Sequence, residues 1–167
     1  PRDINFWKQQ PIIISLLHID QHSDLNPWAP FDNITKRDLS YFWQYTNHQA
    51  NVGNFIPPFL ELYPQTSFQW IKSEAELLNS STYQKGSPLI SSPSRRGERG
   101  LGGISGEVLI LDIDLDFRAP EMKPQQQTET ILKTKELIAQ ADLVTIATSP
   151  YFLDQTIALD LLHQLLD

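Results

Sequence analysis

The sequence predicts an α/β domain with a mainly parallel sheet. Three short apolar runs at residues 11–19, 108–111 and 143–147 end in polar residues and are separated by segments with helical patterns. Continuous apolar runs of this length are typical of strands buried on both faces of a parallel sheet that helices cover. Because the chain has 167 residues, we expect a single domain over 1–167.

Helical signals lie between and after these runs. Residues 35–48 begin with a Thr35-x-x-Asp38 capping pattern, and residues 128–141 begin with Thr128, a favourable N-cap residue. Near the end of the chain, apolar residues recur at the spacing of one helix face: Ile157, Ala158, Leu161, Leu162, Leu165 and Leu166. Strands that alternate with helices indicate α/β units.

The weakest region for packing is residues 79–106. It is rich in serine and glycine and carries the basic residues Arg95, Arg96 and Arg99. We predict a long flexible loop, either a plain insertion or a lid over a site.

Composition narrows the classes of partner. The formal net charge is −7, from 20 acidic and 13 basic residues, which disfavours nucleic acid and favours a basic small substrate or a cationic peptide. The absence of cysteine excludes disulfide scaffolds, iron–sulfur clusters and thiol catalysis. Since no apolar run approaches the ~20 residues of a membrane span, we expect no membrane partner and a cytoplasmic location. Composition leaves the oligomeric state open.

Two acidic motifs follow the first two apolar runs. The first is a D-x-H-x-D motif and the second a D-x-D-x-D motif. Their members are Asp20, His22, Asp24, Asp112, Asp114 and Asp116. Ligands bind at the carboxyl edge of parallel sheets, and alternate side chains of an extended segment point the same way. If the two strands are neighbours, these side chains converge.

Such a concentration of like charge indicates a metal site. Each carboxylate would raise the pKa of the others, and one or two divalent cations would relieve the repulsion. Oxygen-rich sites with imidazole suit manganese, and to a lesser degree iron, zinc or magnesium. A lone D-x-D pattern at a strand end often only caps a helix. Three alternate acids after a buried strand, together with a second motif, favour the metal interpretation.

At these motifs the sequence resembles the arginase/agmatinase metallohydrolases. The segments HIDQHSDL, VGNFIPP, LDIDLDF and TIATSPYFLDQ resemble a divergent branch that includes the peptide arginases, which convert arginine to ornithine in ribosomally made peptides.

The resemblance implies a three-layer, shortened or incomplete arginase-like domain that holds two Mn²⁺ ions. The implied metal ligands are Asp20, His22, Asp24, Asp112 and Asp114. Asn26 matches a substrate-contacting position, and Asp24 would also contact the attacking hydroxide. The implied activity is hydrolysis of peptidyl arginine to ornithine and urea, a post-translational modification in natural product biosynthesis. The implied partner is an arginine-containing precursor peptide.

Two features depart from the arginase pattern. Arginases take a further histidine ligand from a strand upstream of D-x-H-x-D, but here His18 is the only histidine before Asp20. Arginases of free arginine also place a glutamate where this sequence has Ala147. We therefore expect guanidinium recognition by other groups, among them Asp116, Asp154, Thr148 and Ser149, and a peptide substrate in preference to free arginine.

Several assignments stay open at this stage. His18 is expected to be a buried histidine bonded to the backbone. His48 is either a proton shuttle to the leaving amine or a solvated histidine at a helix end, and Asn54 either shapes a turn or contacts substrate. A metal-dependent phosphoesterase and a non-enzymatic metal-binding module are the alternative functions.

Overall fold

The computed structural model describes residues 13–28, 39–80, 107–117 and 124–167. The contacts divide the chain into two compact units. The first comprises Pro1–Gln21 with Ser67–Asp167, and the second comprises His22–Thr66. A single arginase-like domain over 1–167 stays a prediction.

In the described part of the first unit, a four-stranded sheet forms the centre. Its strands are β1 (Ile13–Ile19), β2 (Ser67–Ile71), β3 (Glu107–Asp114) and β4 (Leu143–Ala147). All neighbouring pairs are parallel, and the spatial order is β2-β1-β3-β4. The predicted α/β class with a parallel sheet is therefore confirmed.

The described helices fall in both units. They are α1 (Leu39–His48), α2 (Ile56–Leu62), α3 (Glu74–Asn79), α4 (Pro124–Ile138) and α5 (Gln155–Leu166). The first two belong to the second unit and the other three to the first. Among the described residues, no helix has both the length and the apolar character needed to cross a bilayer.

The core of the first unit lies between one face of the sheet and helices α3, α4 and α5. Alternate residues of β1 and β3 fill it, because successive side chains of a strand point to opposite faces. Its buried members include Leu17, Ile19, Leu109, Leu111, Ile113, Leu77, Leu137 and Leu161. The opposite face of the sheet carries His18, Asp112 and Thr145, which are cross-strand partners on β1, β3 and β4.

The strand order creates a topological switch point between β1 and β3. From β1 the chain continues to β2 on one side of the sheet, and from β3 it continues to β4 on the other side. In open parallel sheets, ligands bind in the crevice outside the carboxyl ends of two such strands. The fold therefore places the ends of β1 and β3 where a site is expected.

Several predicted boundaries were wrong. Strand β3 does not end before Asp112 but extends through Asp114. Helix α4 begins at Pro124 rather than Thr128, since proline lacks only an N–H group that the first turn does not use.

The exposure of β4, the presence of β2 and the end of α3 also differ from the predictions. Strand β4 is not buried on both faces, because Leu143, Thr145 and Ala147 are exposed. Strand β2 was not predicted. Asn79 ends α3 instead of opening a loop, and residues 81–106 of the predicted loop lie outside the described residues.

The central position of β3 predicts a large effect of truncating its core side chains. Leu111 is fully buried, so Leu111→Ala should lower the free energy of unfolding by about 2–5 kcal/mol through lost burial and a residual cavity. Leu132→Ala on α4 is the control. It removes the same atoms from a side chain that is 58% exposed, and the expected change is within about 0.5 kcal/mol. Urea unfolding measures both, and equal losses would contradict the assigned core.

Candidate metal centre

Four aspartates of the first unit lie at or just beyond the carboxyl ends of β1 and β3. Asp20 directly follows β1, Asp112 and Asp114 are on β3, and Asp116 lies in the 3-10 turn Leu115–Phe117. Because β1 and β3 are hydrogen-bonded neighbours, Asp20 of the D-x-H-x-D motif lies at the same end of the sheet as the three aspartates of the D-x-D-x-D motif.

The backbone at Asp20 is held by β2. Its N–H donates to the carbonyl oxygen of Ile71 at 3.2 Å, and its own carbonyl accepts from Trp70 Nε1 at 2.8 Å. Asp20 is 1% exposed. This acid is therefore fixed by the sheet even though it lies one residue past the strand.

The sequence predicted that His18 is buried and bonded to the backbone, and the predicted partner was wrong. The imidazole is buried as expected, but it contacts two carboxylates: Nδ1 donates to Asp112 Oδ2 at 2.8 Å, and Nε2 lies 3.4 Å from Asp20 Oδ2. Burial lowers the pKa of His18. The hydrogen bonds and negative charges of Asp112 and Asp20 outweigh this effect and raise that pKa from 6.5 to about 9.

Both oxygens of Asp112 and of Asp114 accept hydrogen bonds. Thr145 Oγ1 donates to Asp112 Oδ1, opposite the bond from His18. Ser149 Oγ donates to Asp114 Oδ2, and the N–H of Asp116 donates to Asp114 Oδ1 at 3.1 Å. Each carboxylate is thus oriented from two sides.

Ser149 comes from the turn that follows β4. Its φ of 42° lies in the left-handed region, which is uncommon for a residue with a side chain.

Burial raises the pKa of Asp114 above its ordinary value, and the charges of Asp20 and Asp112 add to this increase. The hydrogen bonds from Ser149 and from the Asp116 N–H act in the opposite direction.

Asp116 joins the same cluster. It is 5% exposed, its carbonyl accepts from Gln21 Nε2 at 3.0 Å, and one of its carboxylate oxygens lies within 4.8 Å of one from Asp20. Asp154, another acid that the sequence suggested for guanidinium recognition, has a different position. Its side chain accepts hydrogen bonds from the N–H groups of Thr156 and Ile157 and caps the N-terminus of α5.

The remaining predicted site residues belong to the second unit. There His22 is exposed, Asp24 is almost fully buried with a φ of 51°, and His48 is exposed at the last residue of α1. The N–H of Asn26 donates to the Gly53 carbonyl at 2.9 Å. A Cβ atom at Gly53 would lie 2.7 Å from Asn26 Nδ2, so this close approach requires glycine.

Asn54 of the second unit shapes its own loop. Its Oδ1 accepts from the Asn51 N–H at 2.7 Å, and its Nδ2 donates to the Gln49 carbonyl at 3.3 Å. Because both ends of the buried amide are bonded to neighbouring backbone, the turn-shaping interpretation is the one that the structure supports.

The donor set of the first unit fits a hard divalent cation. Histidine and aspartate groups that could hold a metal ion are present, with His18, Asp20 and Asp116 among their members. Carboxylate oxygens with imidazole suit manganese or magnesium better than metals that prefer thiolates. Four aspartates of the first unit lie near a single histidine, so a cation would relieve the repulsion between the carboxylates.

Comparisons with family models, with curated proteins and with solved structures give no match for this chain. The resemblance to arginases thus depends on the motifs in the sequence.

The raised pKa of His18 predicts a pH-dependent stability of the metal-free protein. The folded state binds this proton more tightly, with a pKa of about 9 against 6.5. The resulting stabilisation is therefore complete below pH 6.5 and is lost as the pH rises through about 9. The measurement is the difference in free energy of unfolding between the metal-free wild type and His18→Gln. A difference that stays constant across this range would contradict the assignment.

Proposed function

We propose that this protein is a manganese-dependent hydrolase that converts arginine side chains of a peptide to ornithine and urea. The observation that carries the proposal is the position of Asp20, Asp112 and Asp114 at the switch point of a parallel sheet, where His18 contacts both Asp20 and Asp112. The motifs that supply these residues are those that resemble arginases. The three-layer arginase-like architecture is part of the same proposal.

Three of the proposed ligands belong to the first unit, namely Asp20, Asp112 and Asp114. His22 and Asp24 are proposed as ligands from the sequence motif, since they follow Asp20 in the chain by two and four residues. We propose two Mn²⁺ ions, because the oxygen-rich donor set suits this metal. When bound, the ions would lower the pKa of a water molecule so that it can attack near neutral pH.

The reaction breaks the bond between the guanidinium carbon and Nε and forms a bond from that carbon to the water oxygen. A proton must reach Nε so that the ornithine amine can leave. His48 is the proposed source of that proton, and Asp24 is proposed to hold the water by a hydrogen bond. Asp116 and Ser149 are proposed to orient the guanidinium, which donates to carboxylate and hydroxyl oxygens. Asn26 is proposed to contact the substrate elsewhere.

Two features of the first unit support a peptide rather than free arginine. Ala147 is the cross-strand neighbour of Asp114 and offers no charge to grip a guanidinium. After Ser149 the chain turns, with the N–H groups of Phe152 and Leu153 both donating to the Ser149 carbonyl at 2.9 Å. Tyr151 and Phe152 are 93% and 64% exposed there. Exposed aromatic side chains are frequent anchors for bound peptides.

Removal of one proposed ligand tests metal binding. Asp112→Ala should abolish most Mn²⁺ binding and all hydrolysis, because no other described carboxylate of β3 is held by both His18 and Thr145. Elemental analysis measures the metal, and mass spectrometry measures the mass decrease that accompanies conversion of arginine to ornithine in a peptide. Asp160→Asn, an exposed position on α5, is the control and should change neither.

The outcome separates the proposed activity from its rivals. Two metal ions per chain retained in Asp112→Ala would contradict the ligand assignment. Turnover of a phosphodiester but not of arginyl peptides would favour a phosphoesterase, and bound metal without any hydrolysis would favour a binding module.

Substrate length gives a separate test. We expect long arginyl peptides to be hydrolysed with a higher kcat/KM than free arginine, since contacts remote from the reacting carbon supply the positioning. Tyr151→Ala should raise KM for the peptide and leave Mn²⁺ affinity unchanged. Equal kcat/KM for free arginine and for a long peptide would show that the protein acts as an ordinary arginase.

A further inference from the structure

His18 differs from the other described histidines in its surroundings. It is 1% exposed, whereas His22, His48 and His163 are exposed. It lies in a row of four cross-strand partners that crosses the whole sheet: Trp70, His18, Asp112 and Thr145. Its ring therefore has a fixed place beside the proposed ligand Asp112.

The two ring nitrogens of His18 face two different acids. Nδ1 contacts Asp112 at 2.8 Å and Nε2 contacts Asp20 at 3.4 Å. Because an imidazole ring is rigid, it acts as a spacer that fixes one oxygen of each carboxylate relative to the other.

The bond from Thr145 to Asp112 completes this arrangement. With His18 on Oδ2 and Thr145 on Oδ1, the Asp112 carboxylate cannot rotate without losing a hydrogen bond. A carboxylate oxygen offers two lone pairs, so each oxygen can accept one bond and still bind a cation. The contacts therefore orient Asp112 without using up its capacity as a ligand.

We infer that His18 is a positioning residue for the metal centre, one that orients the carboxylates of Asp20 and Asp112 for metal binding. The inference rests on the proposed function only in requiring a metal, and it holds whatever the substrate is. Loss of a group that orients a ligand typically lowers metal affinity by ~10–100-fold.

Two conservative variants separate the contacts of His18. In His18→Asn the amide nitrogen can replace Nδ1 and keep the bond to Asp112, and in His18→Gln it can replace Nε2 and keep the contact with Asp20. His18→Ala removes both, and Thr145→Val removes the bond on the other oxygen of Asp112. His163→Asn, at an exposed position of α5, is the matched control.

The experiment is a Mn²⁺ titration of the full chain, with free Mn²⁺ measured by electron paramagnetic resonance, well below the thermal midpoint of each variant. We expect His18→Ala to bind Mn²⁺ ~10–100-fold more weakly than wild type. His18→Asn, His18→Gln and Thr145→Val should lie between the two, and His163→Asn should equal wild type. If His18→Ala does not fold, the comparison of His18→Asn and His18→Gln with wild type is sufficient.

The results distinguish three failures. Wild-type affinity in folded His18→Asn and His18→Gln, with only a lower thermal midpoint, would make His18 a structural residue and overturn the inference alone. Complete loss of binding in every His18 variant would make it a ligand and would also overturn the positioning role. A wild-type chain that binds no Mn²⁺ would overturn both the proposed function and this inference.

Discussion

The concentration of negative charge at the carboxyl ends of β1 and β3 is the constraint on which the rest of the site depends. Buried carboxylates repel one another more strongly than exposed ones, because the surrounding dielectric is low. Hydrogen bonds and negative charge from Asp112 and Asp20 raise the pKa of His18 against the effect of burial. Burial raises the pKa of Asp114, and the charges of Asp20 and Asp112 add to this increase. The hydroxyl groups of Thr145 and Ser149 donate to two of the acids. These donors orient the carboxylates but bring no full positive charge, so a divalent cation is the natural complement.

The sheet makes this concentration of charge possible because its two faces carry different kinds of side chain. One face of β1 and β3 is packed with leucine and isoleucine against three helices, and this burial stabilises the strands. The other face carries the row of polar partners that includes His18 and Asp112. Since the strand order reverses between β1 and β3, the connections leave the ends of these strands in opposite directions, which is where ligands bind in open parallel sheets.

Much of the sheet and part of the candidate site could be predicted from the sequence. The apolar runs of β1, β3 and β4 are local signals, and the alternate spacing of Asp112 and Asp114 indicated that they share a face. Strand β2 escaped prediction because its five residues mix serine and glutamine with apolar residues. The role of His18 also could not be read from local sequence, because it depends on the pairing of His18 with a residue 94 positions away. The alternation His18-x-Asp20 was the one available signal.

The central claim is that these aspartates hold divalent metal ions, and anomalous X-ray scattering from crystals grown with Mn²⁺ tests it most directly. The account predicts two anomalous peaks at the manganese edge, within coordination distance of Asp20, Asp112 and Asp114, with His18 still contacting two of these acids. Crystals with no anomalous peak at these residues, grown under conditions where Mn²⁺ exceeds the protein, would contradict the account.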